Sequence, residues 1–283
     1  MEALMDRTNR RALAINWETL APHCSWAGCR RRARWQGLLR RSEGVRCGDD
    51  WYCSQNCLQE FLVLKLSSLL AELPQEMSLA THRVPLGLIL LSRGQIEHES
   101  LQQALRKQRA EGGRVGQCLR YYCNVTEDQI ASALARQWSC PVYPVSRGSE
   151  CRNMIPRQLQ EFHLMLPVHF VETTRDLYLA FEQFVDYTVL VAIEKMLDCT
   201  TRPCILPESE LRRRLTGESQ EPREAEIVFA STVTPQDLAR SICGYTQQTG
   251  AEQIRLLSCS AHIWVRLESD HRSLDLLVRR WQR

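Results

Sequence analysis

Apolar positions recur along this chain with two periods, and where the period changes the chain divides into elements. After Cys57 the stretch LQEFLVLKLSSLLAEL has the spacing of a buried-face helix, and LGLILLSRG is a shorter apolar helix that ends at Gly94, where a left-handed residue closes a helix. Leu101 and Leu105, then Ile130 and Leu134, repeat at helical spacing, and Thr126 with Gln129 forms a capping box at the start of the second of these helices. Beyond them, strands over 164–170, 177–181 and 203–206 surround a helix over 188–197, with a final helix over 208–215, which predicts a small α/β layer. The polar stretch 216–224, with Gly217 and Pro222, reads as a linker. A helix from Pro235 to Thr249 follows it, and GAEQIRLLSCS and AHIWVRLES then read as the two strands of a hairpin.

The helical part contains an internal repeat. Leu86, Gly87, Leu90, Gly94, Leu101, Leu105 and Gln108 recur at the same spacing as Val115, Gly116, Leu119, Cys123, Ile130, Leu134 and Gln137. Each copy predicts a short helix, a turn and a longer helix. Packing alone accounts for leucines and glycines at such places in any pair of helical hairpins.

Five cysteines lie close together as CSWAGC and CGDDWYCSQNC: Cys24, Cys29, Cys47, Cys53 and Cys57. Zinc binding needs two short-range pairs brought together by an intervening hairpin, and Cys24-x4-Cys29 with Cys53-x3-Cys57 supplies them. Cys57 falls in the first turn of the following helix, where the helix dipole favours a thiolate. Cys47 is expected to pack beside the site; exchanging it for Cys24 as a ligand gives less regular spacing. The layout resembles a treble-clef zinc module. Arg30, Arg31, Arg32, Arg34, Arg40, Arg41 and Arg46, with Trp35, fall between the pairs, so a nucleic-acid-binding regulator using residues 30–46 is the alternative to a solvated hairpin face. Cys118, Cys140, Cys151, Cys199, Cys204, Cys243 and Cys259 have no paired spacing and are expected to be ordinary packing residues, as are His163 and His169.

With the short spacer from Arg109 to Gly113 between its copies, the tandem motif resembles the cyclic di-GMP-binding N-terminal module of type II secretion and type IV pilus assembly ATPases, the MshEN type. Two near-identical motifs suit a ligand made of two identical guanylate halves. The resemblance implies that Leu86, Gly87, Leu90 and Gln108 of the first motif, and Arg114, Val115, Gly116, Leu119 and Gln137 of the second, contact that ligand. Two positions depart from the family. Pro85 stands where the first motif has Arg, with Arg83 nearby, and Cys123 stands where Gly is expected, so that either Cys123 or Asn124 must take the left-handed conformation. The resemblance continues through the α/β layer. It extends weakly to the segment before the motor of these ATPases, where Gly250, Ala251, Ile254 and Arg266 fit and Glu252, Gln253 and Arg255 do not.

Composition adds limits. The chain has 283 residues, 44% of them hydrophobic, with a formal net charge of +3, which is enough for several cores and too little charge to imply nucleic-acid or membrane binding. No stretch reads as a signal peptide or a membrane span, and thirteen scattered cysteines suit a reducing, cytoplasmic compartment. No G-x-x-x-x-G-K-[ST] loop and no credible Ser-His-Asp grouping occurs, so no catalytic residues are expected. The expectation is therefore an α+β, multidomain chain: a tail over 1–22, a zinc module over 23–60, a linking helix over 61–78, and a central domain over 79–215 with motifs at 85–108 and 114–137. A linker over 216–225 and a small α/β segment over 226–283 complete it. The function expected is that of a non-enzymatic regulator or adaptor, with zinc and cyclic di-GMP as ligands and a secretion or pilus machinery protein, its ATPase included, as partner.

Overall fold

The computed structural model describes residues 23–31, 44–72, 83–146, 151–217, 225–270 and 272–280. The tail over 1–22, most of the Arg-rich stretch (32–43), the end of the linking helix (73–82) and most of the linker (218–224) lie outside the described residues.

The described chain is a mixed α+β structure with two sheets. A hairpin of β1 (Val45–Cys47) and β2 (Asp50–Tyr52) leads into α1 (Gln55–Ala71), whose N-cap Ser54 accepts from the Cys57 N–H. This helix begins before the linking helix expected over 61–78 and ends at Ala71, and 73–78 of that expectation lie outside the described residues. Then come α2 (Leu86–Ser92), α3 (His98–Glu111), α4 (Val115–Cys123) and α5 (Glu127–Trp138), the two helical hairpins of the repeat, and the Thr126–Gln129 capping box at α5 is formed in full. Next, α6 (Arg157–His163), β3 (Met165–Val171), β4 (Asp176–Phe181), α7 (Tyr187–Leu197), β5 (Thr200–Ile205) and α8 (Glu208–Thr216) build the α/β layer around a three-stranded sheet, β3-β4-β5.

The C-terminal region holds more than the predicted helix and two-strand hairpin. It contains β6 (Ala225–Phe229), α9 (Pro235–Thr249), β7 (Gln253–Cys259), β8 (His262–Glu268) and β9 (Ser273–Arg279). Thr234 caps α9, Pro235 sits at its first turn, and Gly250 closes it in the left-handed conformation, so this helix begins and ends where local chemistry dictates. The strands join the N-terminal hairpin in one six-stranded sheet of order β2-β1-β7-β8-β9-β6. The sequence sets the two ends down as separate segments; the sheet makes them one, because β1 pairs in parallel with β7 through Arg46 with Gln253 and Cys47 with Ile254.

Both faces of this sheet are covered, which explains why β8 and β9 are almost continuously buried. Ile263, Val265, Leu267, Leu276 and Val278 share a core with Leu58, Leu62 and Leu66 of α1 and Leu238 and Ile242 of α9. On the opposite face Cys259, Trp264 and Leu277 share a core with Val189 and Ile193 of α7 and with the helical hairpins. The alternation follows the two-residue period of a strand. Arg266 and Asp275 also sit on the sheet as a buried pair, with Nε to Oδ1 at 2.8 Å and Nη2 to Oδ2 at 2.7 Å. Trp264 Nε1 donates to the same carboxylate at 2.7 Å, and Arg266 Nη2 reaches the Met154 carbonyl at 3.0 Å, fixing the central unit to the sheet. Glu226 of β6 adds a second fastening by accepting from the Arg157 and Gln158 N–H groups at the start of α6.

Two stability predictions follow from this sheet. Arg266→Met leaves the Asp275 carboxylate buried without its cation and is expected to cost about 3–5 kcal/mol in denaturant unfolding. The double variant Arg266→Met, Asp275→Leu should recover most of that loss; equal instability of the two variants would argue against an uncompensated charge. The second concerns pH. Burial, with His163, Arg279 and Arg280 nearby, lowers His262 to about 4. The unfolded chain therefore takes up this proton first, so stability should fall as pH drops from about 6.5 towards 4. His262→Phe should flatten that slope in a series of melts across this range.

Candidate functional site

The two motifs converge on one groove. The start of α2 supplies Pro85, Leu86, Gly87 and Leu88, α3 supplies Leu101 and Leu105, and the second motif supplies Val115, Leu134, Gln137 and Trp138. Gln183 and Phe184, in the loop after β4, close the wall. The space is about 720 Å³, within the range of small-molecule sites, and its lining is mostly apolar with a few polar groups. A second, much smaller cleft of about 30 Å³ adjoins it through the shared residues Leu134 and Gln183 and holds Arg114, Gly116, Gln117 and Arg120.

The residues singled out from the repeat divide into three groups. Leu86, Gly87, Val115 and Gln137 line the groove, and Arg114 and Gly116 line the adjoining cleft. Leu90 and Leu119 are fully buried and serve the core, while Gln108 lines neither space and donates to the Gly113 carbonyl at 3.3 Å. The two glycines differ in what they allow. A Cβ on Gly87 would come within 2.5 Å of Leu101 Cδ1, so this glycine lets α2 approach α3. A Cβ on Gly116 would meet nothing closer than Ile130 at 3.7 Å, so the protein's own packing does not require glycine there.

Polar contacts fasten one motif to the other. Gln137 Nε2 donates to the Val84 carbonyl at 2.8 Å, and Arg83 Nη1 donates to the Gln137 carbonyl at 3.2 Å. The Arg83 guanidinium lies 3.7 Å from the Trp138 ring centroid, so its charge rests on the indole beside the groove instead of occupying the Pro85 position. Trp138 is held further by Nε1 donation to the Gln183 carbonyl at 2.9 Å and by an edge contact with Phe184 at 5.1 Å. Trp138, Gln183 and Phe184 were not singled out in the sequence. Trp138 adjoins the motif's last glutamine, but Phe184 reaches the groove only through the fold of the β4–α7 loop.

Arg114 forms an ion pair with Glu182, whose side chain is 3% exposed, and Arg212 reaches the same Glu182 oxygen at 3.3 Å. The other oxygen of Glu182 has no hydrogen-bond partner among the described residues. One buried carboxylate is thus shared by two arginines, one from the second motif and one from α8.

The Cys123 departure resolves at the next residue. Cys123 is the last helical residue of α4, with its Sγ 3.3 Å from the Ser100 carbonyl, and Asn124 takes the left-handed conformation at φ 51°. The first motif makes the same turn with Gly94 at φ 65°. The left-handed position has moved by one residue, to an amino acid that tolerates it.

At the other end of the chain, the sulfurs of Cys24, Cys29, Cys53 and Cys57 all lie within 4.8 Å of one another. Cys29 Sγ is 3.5 Å from Cys53 Sγ, which is 3.9 Å from Cys57 Sγ. These separations are far longer than a disulfide and bracket the edge of about 3.8 Å that four thiolates at zinc–sulfur distance would form. The loop is shaped for the purpose: the Cys24 N–H donates to the Arg31 carbonyl, the Cys29 N–H to the Trp26 carbonyl, and the Ser25 N–H to the Trp51 carbonyl of β2. Cys47 belongs to the core instead, and burial pushes its thiol up to about 12. Within the cluster a backbone hydrogen bond from Arg31 lowers Cys29, whereas burial raises Cys53 to about 12. The donor set can bind a soft divalent cation, with release of protons.

No family model and no curated relative matches the sequence. Among solved structures the chain is similar to MshE with cyclic di-GMP, at 26% identity over 47% of this chain and 97% of that one, with a TM-score of 0.41. It is also similar to the N-terminal domain of XpsE, at 15% identity over 46% of this chain and 90% of that one, with a TM-score of 0.34.

The geometry of the second motif predicts that Asn124→Gly will leave stability unchanged or raise it by up to about 1 kcal/mol. Cys123→Gly places glycine inside α4 and is expected to lower stability by about 0.5–1 kcal/mol. Thermal melts of the two variants check this, and the reverse order would place the strain at Cys123.

Proposed function

We propose that this chain is a non-catalytic, cytoplasmic regulator or adaptor of a type II secretion or type IV pilus machine. It binds cyclic di-GMP in the groove between its two motifs and the cleft that adjoins it at Leu134 and Gln183, and carries a structural zinc at Cys24, Cys29, Cys53 and Cys57. The observation that carries the reading is the meeting of both motifs on one groove of about 720 Å³. A ligand with two identical halves fits a site built from two copies of one motif, and losing either half-site weakens a tethered pair severely.

The residues have separable tasks. Leu86, Val115, Leu134 and Trp138 offer apolar surface to a base, and Gln137 fixes the wall by its bond to Val84. Gly116 leaves the backbone of α4 open to close approach by the ligand. Arg114 supplies a cation for a phosphate. Turning it from Glu182 does not strand the buried carboxylate, because Arg212 remains beside it at 3.3 Å. Zinc at the cysteines would hold the loop, the hairpin and the start of α1 together; the chemistry it supplies is structural. Among the described residues no helix is long and apolar enough to cross a membrane. A secretion or pilus protein, its ATPase included, is the proposed partner.

Calorimetric titration of the full chain with cyclic di-GMP tests the ligand. One ligand per chain is expected. Arg114→Ala should weaken binding by about tenfold or more, as for loss of a charge-assisted hydrogen bond. Gly116→Val should abolish binding, whereas Gly116→Ala should leave the melting temperature unchanged because the protein has room for a Cβ. Pro85→Arg should tighten binding. Absence of heat from both the wild type and Pro85→Arg would reduce the unit to a docking domain, and ATP turnover abolished by a single substitution would end the non-catalytic reading.

A further inference from the structure

We infer that the metal held by the four cysteines is the fastening that closes the N-terminal segment onto the C-terminal sheet, so that metal loading governs whether this composite domain is complete. The inference rests on the zinc reading above and extends it from a local site to the assembly of the two chain ends.

The N-terminal strands are too short to hold themselves. β1 and β2 have 3 residues each, and an isolated two-stranded hairpin is marginal even at greater length. Their attachment to the rest of the sheet is slight. It is a ladder of two residue pairs, Arg46 with Gln253 and Cys47 with Ile254, flanked by Arg46 N–H to the Glu252 carbonyl and Gly48 N–H to the Ile254 carbonyl, both at 2.9 Å, and by Gln253 Nε2 to the Gly48 carbonyl at 3.1 Å, with Cys47 and Tyr52 as its core contacts. The cysteines stand where this weakness is greatest. Cys24 and Cys29 shape the loop that bonds to β2, Cys53 follows β2 directly, and Cys57 lies in the first turn of α1. A cation bound by all four joins three stretches of backbone that otherwise meet through few hydrogen bonds.

The other end of α1 has its own anchor. Arg280, at the end of β9, donates to the Leu69 carbonyl at 2.9 Å and to Ser258 Oγ at 2.7 Å. Between the two anchors Leu58, Leu62, Leu66 and Leu69 bury one helix face against α9 and the sheet. Loss of the metal therefore frees the hairpin and the first turns of α1 while the Arg280 end stays attached. It also uncovers the β7 edge, whose unpaired N–H and C=O groups invite pairing with another strand.

The test is amide hydrogen exchange on the full chain, with metal content measured on the same samples. They are zinc-loaded protein, protein stripped by a strong chelator under a thiol reductant, and stripped protein given zinc again. The loaded chain should contain one zinc, and stripping should speed exchange at Cys24, Ser25, Arg46 and Gly48 at least tenfold. Ile205, bonded to the Pro141 carbonyl in the central unit, should not change, and zinc addition should restore the slow rates. Cys53→Ser should behave as the stripped protein does, and Cys47→Ser should keep its metal; if Cys53→Ser is insoluble, the stripped and reloaded wild type gives the same readout. Metal that binds and can be removed with no change at these four amides overturns the inference and leaves the zinc reading standing. Protection of the four amides in a chain that takes up no zinc removes both.

Discussion

β8 has two buried faces, and each holds a different part of the molecule. Ile263, Val265 and Leu267 point to α1 and α9, and Trp264 and Arg266 point to the central unit. Buried polar groups in such a strand need partners, and the Arg266–Asp275 pair with Trp264 Nε1 supplies them at its centre, whereas Nδ1 of His262 at its start has none among the described residues. Because this polar cluster also reaches the Met154 carbonyl, it sets the orientation of the central unit as well as its adhesion. Apolar contact alone would allow the two bodies to slide; the bidentate Asp275 pair holds the Arg266 guanidinium in one geometry, and Nη2 then meets the Met154 carbonyl from a fixed position.

The cleft beside the groove depends on a second buried carboxylate. Glu182 follows β4, and the arginines it holds come from α4 and α8, so one residue links the second motif to the end of the α/β layer. The desolvated charge requires a cation at all times, but two are within reach. This redundancy means that the buried Glu182 carboxylate keeps one cation even when Arg114 turns away. Trp138 has the opposite character: Arg83 on its face, Phe184 at its edge and the Gln183 carbonyl on its N–H fix it in place. The site thus combines one rigid aromatic wall with one exchangeable cation.

What could be read from the sequence was local. The α9 boundaries are written in Thr234, Pro235 and Gly250, and the start of α5 in Thr126 and Gln129, because caps act over a few residues. The repeat announced two hairpins for the same reason. The left-handed residue of the second motif was narrowed to Cys123 or Asn124, and the backbone chose the one whose side chain tolerates it. The strands β6 and β9 were missed because β9 reads SLDLLVR, an apolar run without alternation, as befits a strand covered on both faces. The β1–β7 pairing was beyond reach: it joins Arg46 to Gln253 through two short matches, and no local signal marks a partner so distant in the chain. The groove wall at Phe184 shares that character.

These facts give the molecule a physical order. Gln183 and Phe184 stand at the groove immediately before Asp186, the N-cap of α7, and α7 lies on β7. β7 in turn carries β1 on its outer edge, next to the cysteines. The groove and the cysteine cluster therefore lie at opposite ends of one continuous series of contacts. Contact alone does not couple two sites, since a ligand shifts an equilibrium only by its differential affinity for the two states. Two arrangements must exist along the series, and its packed middle offers few: α7, β7 and β8 contribute fully buried side chains that have no room to shift. The places with alternatives are the ends, where Arg114 can leave Glu182 with Arg212 still in place and where β1 is held by few bonds. Under the proposed function, regulation would act at these two margins, with the sheet between them as the fixed frame.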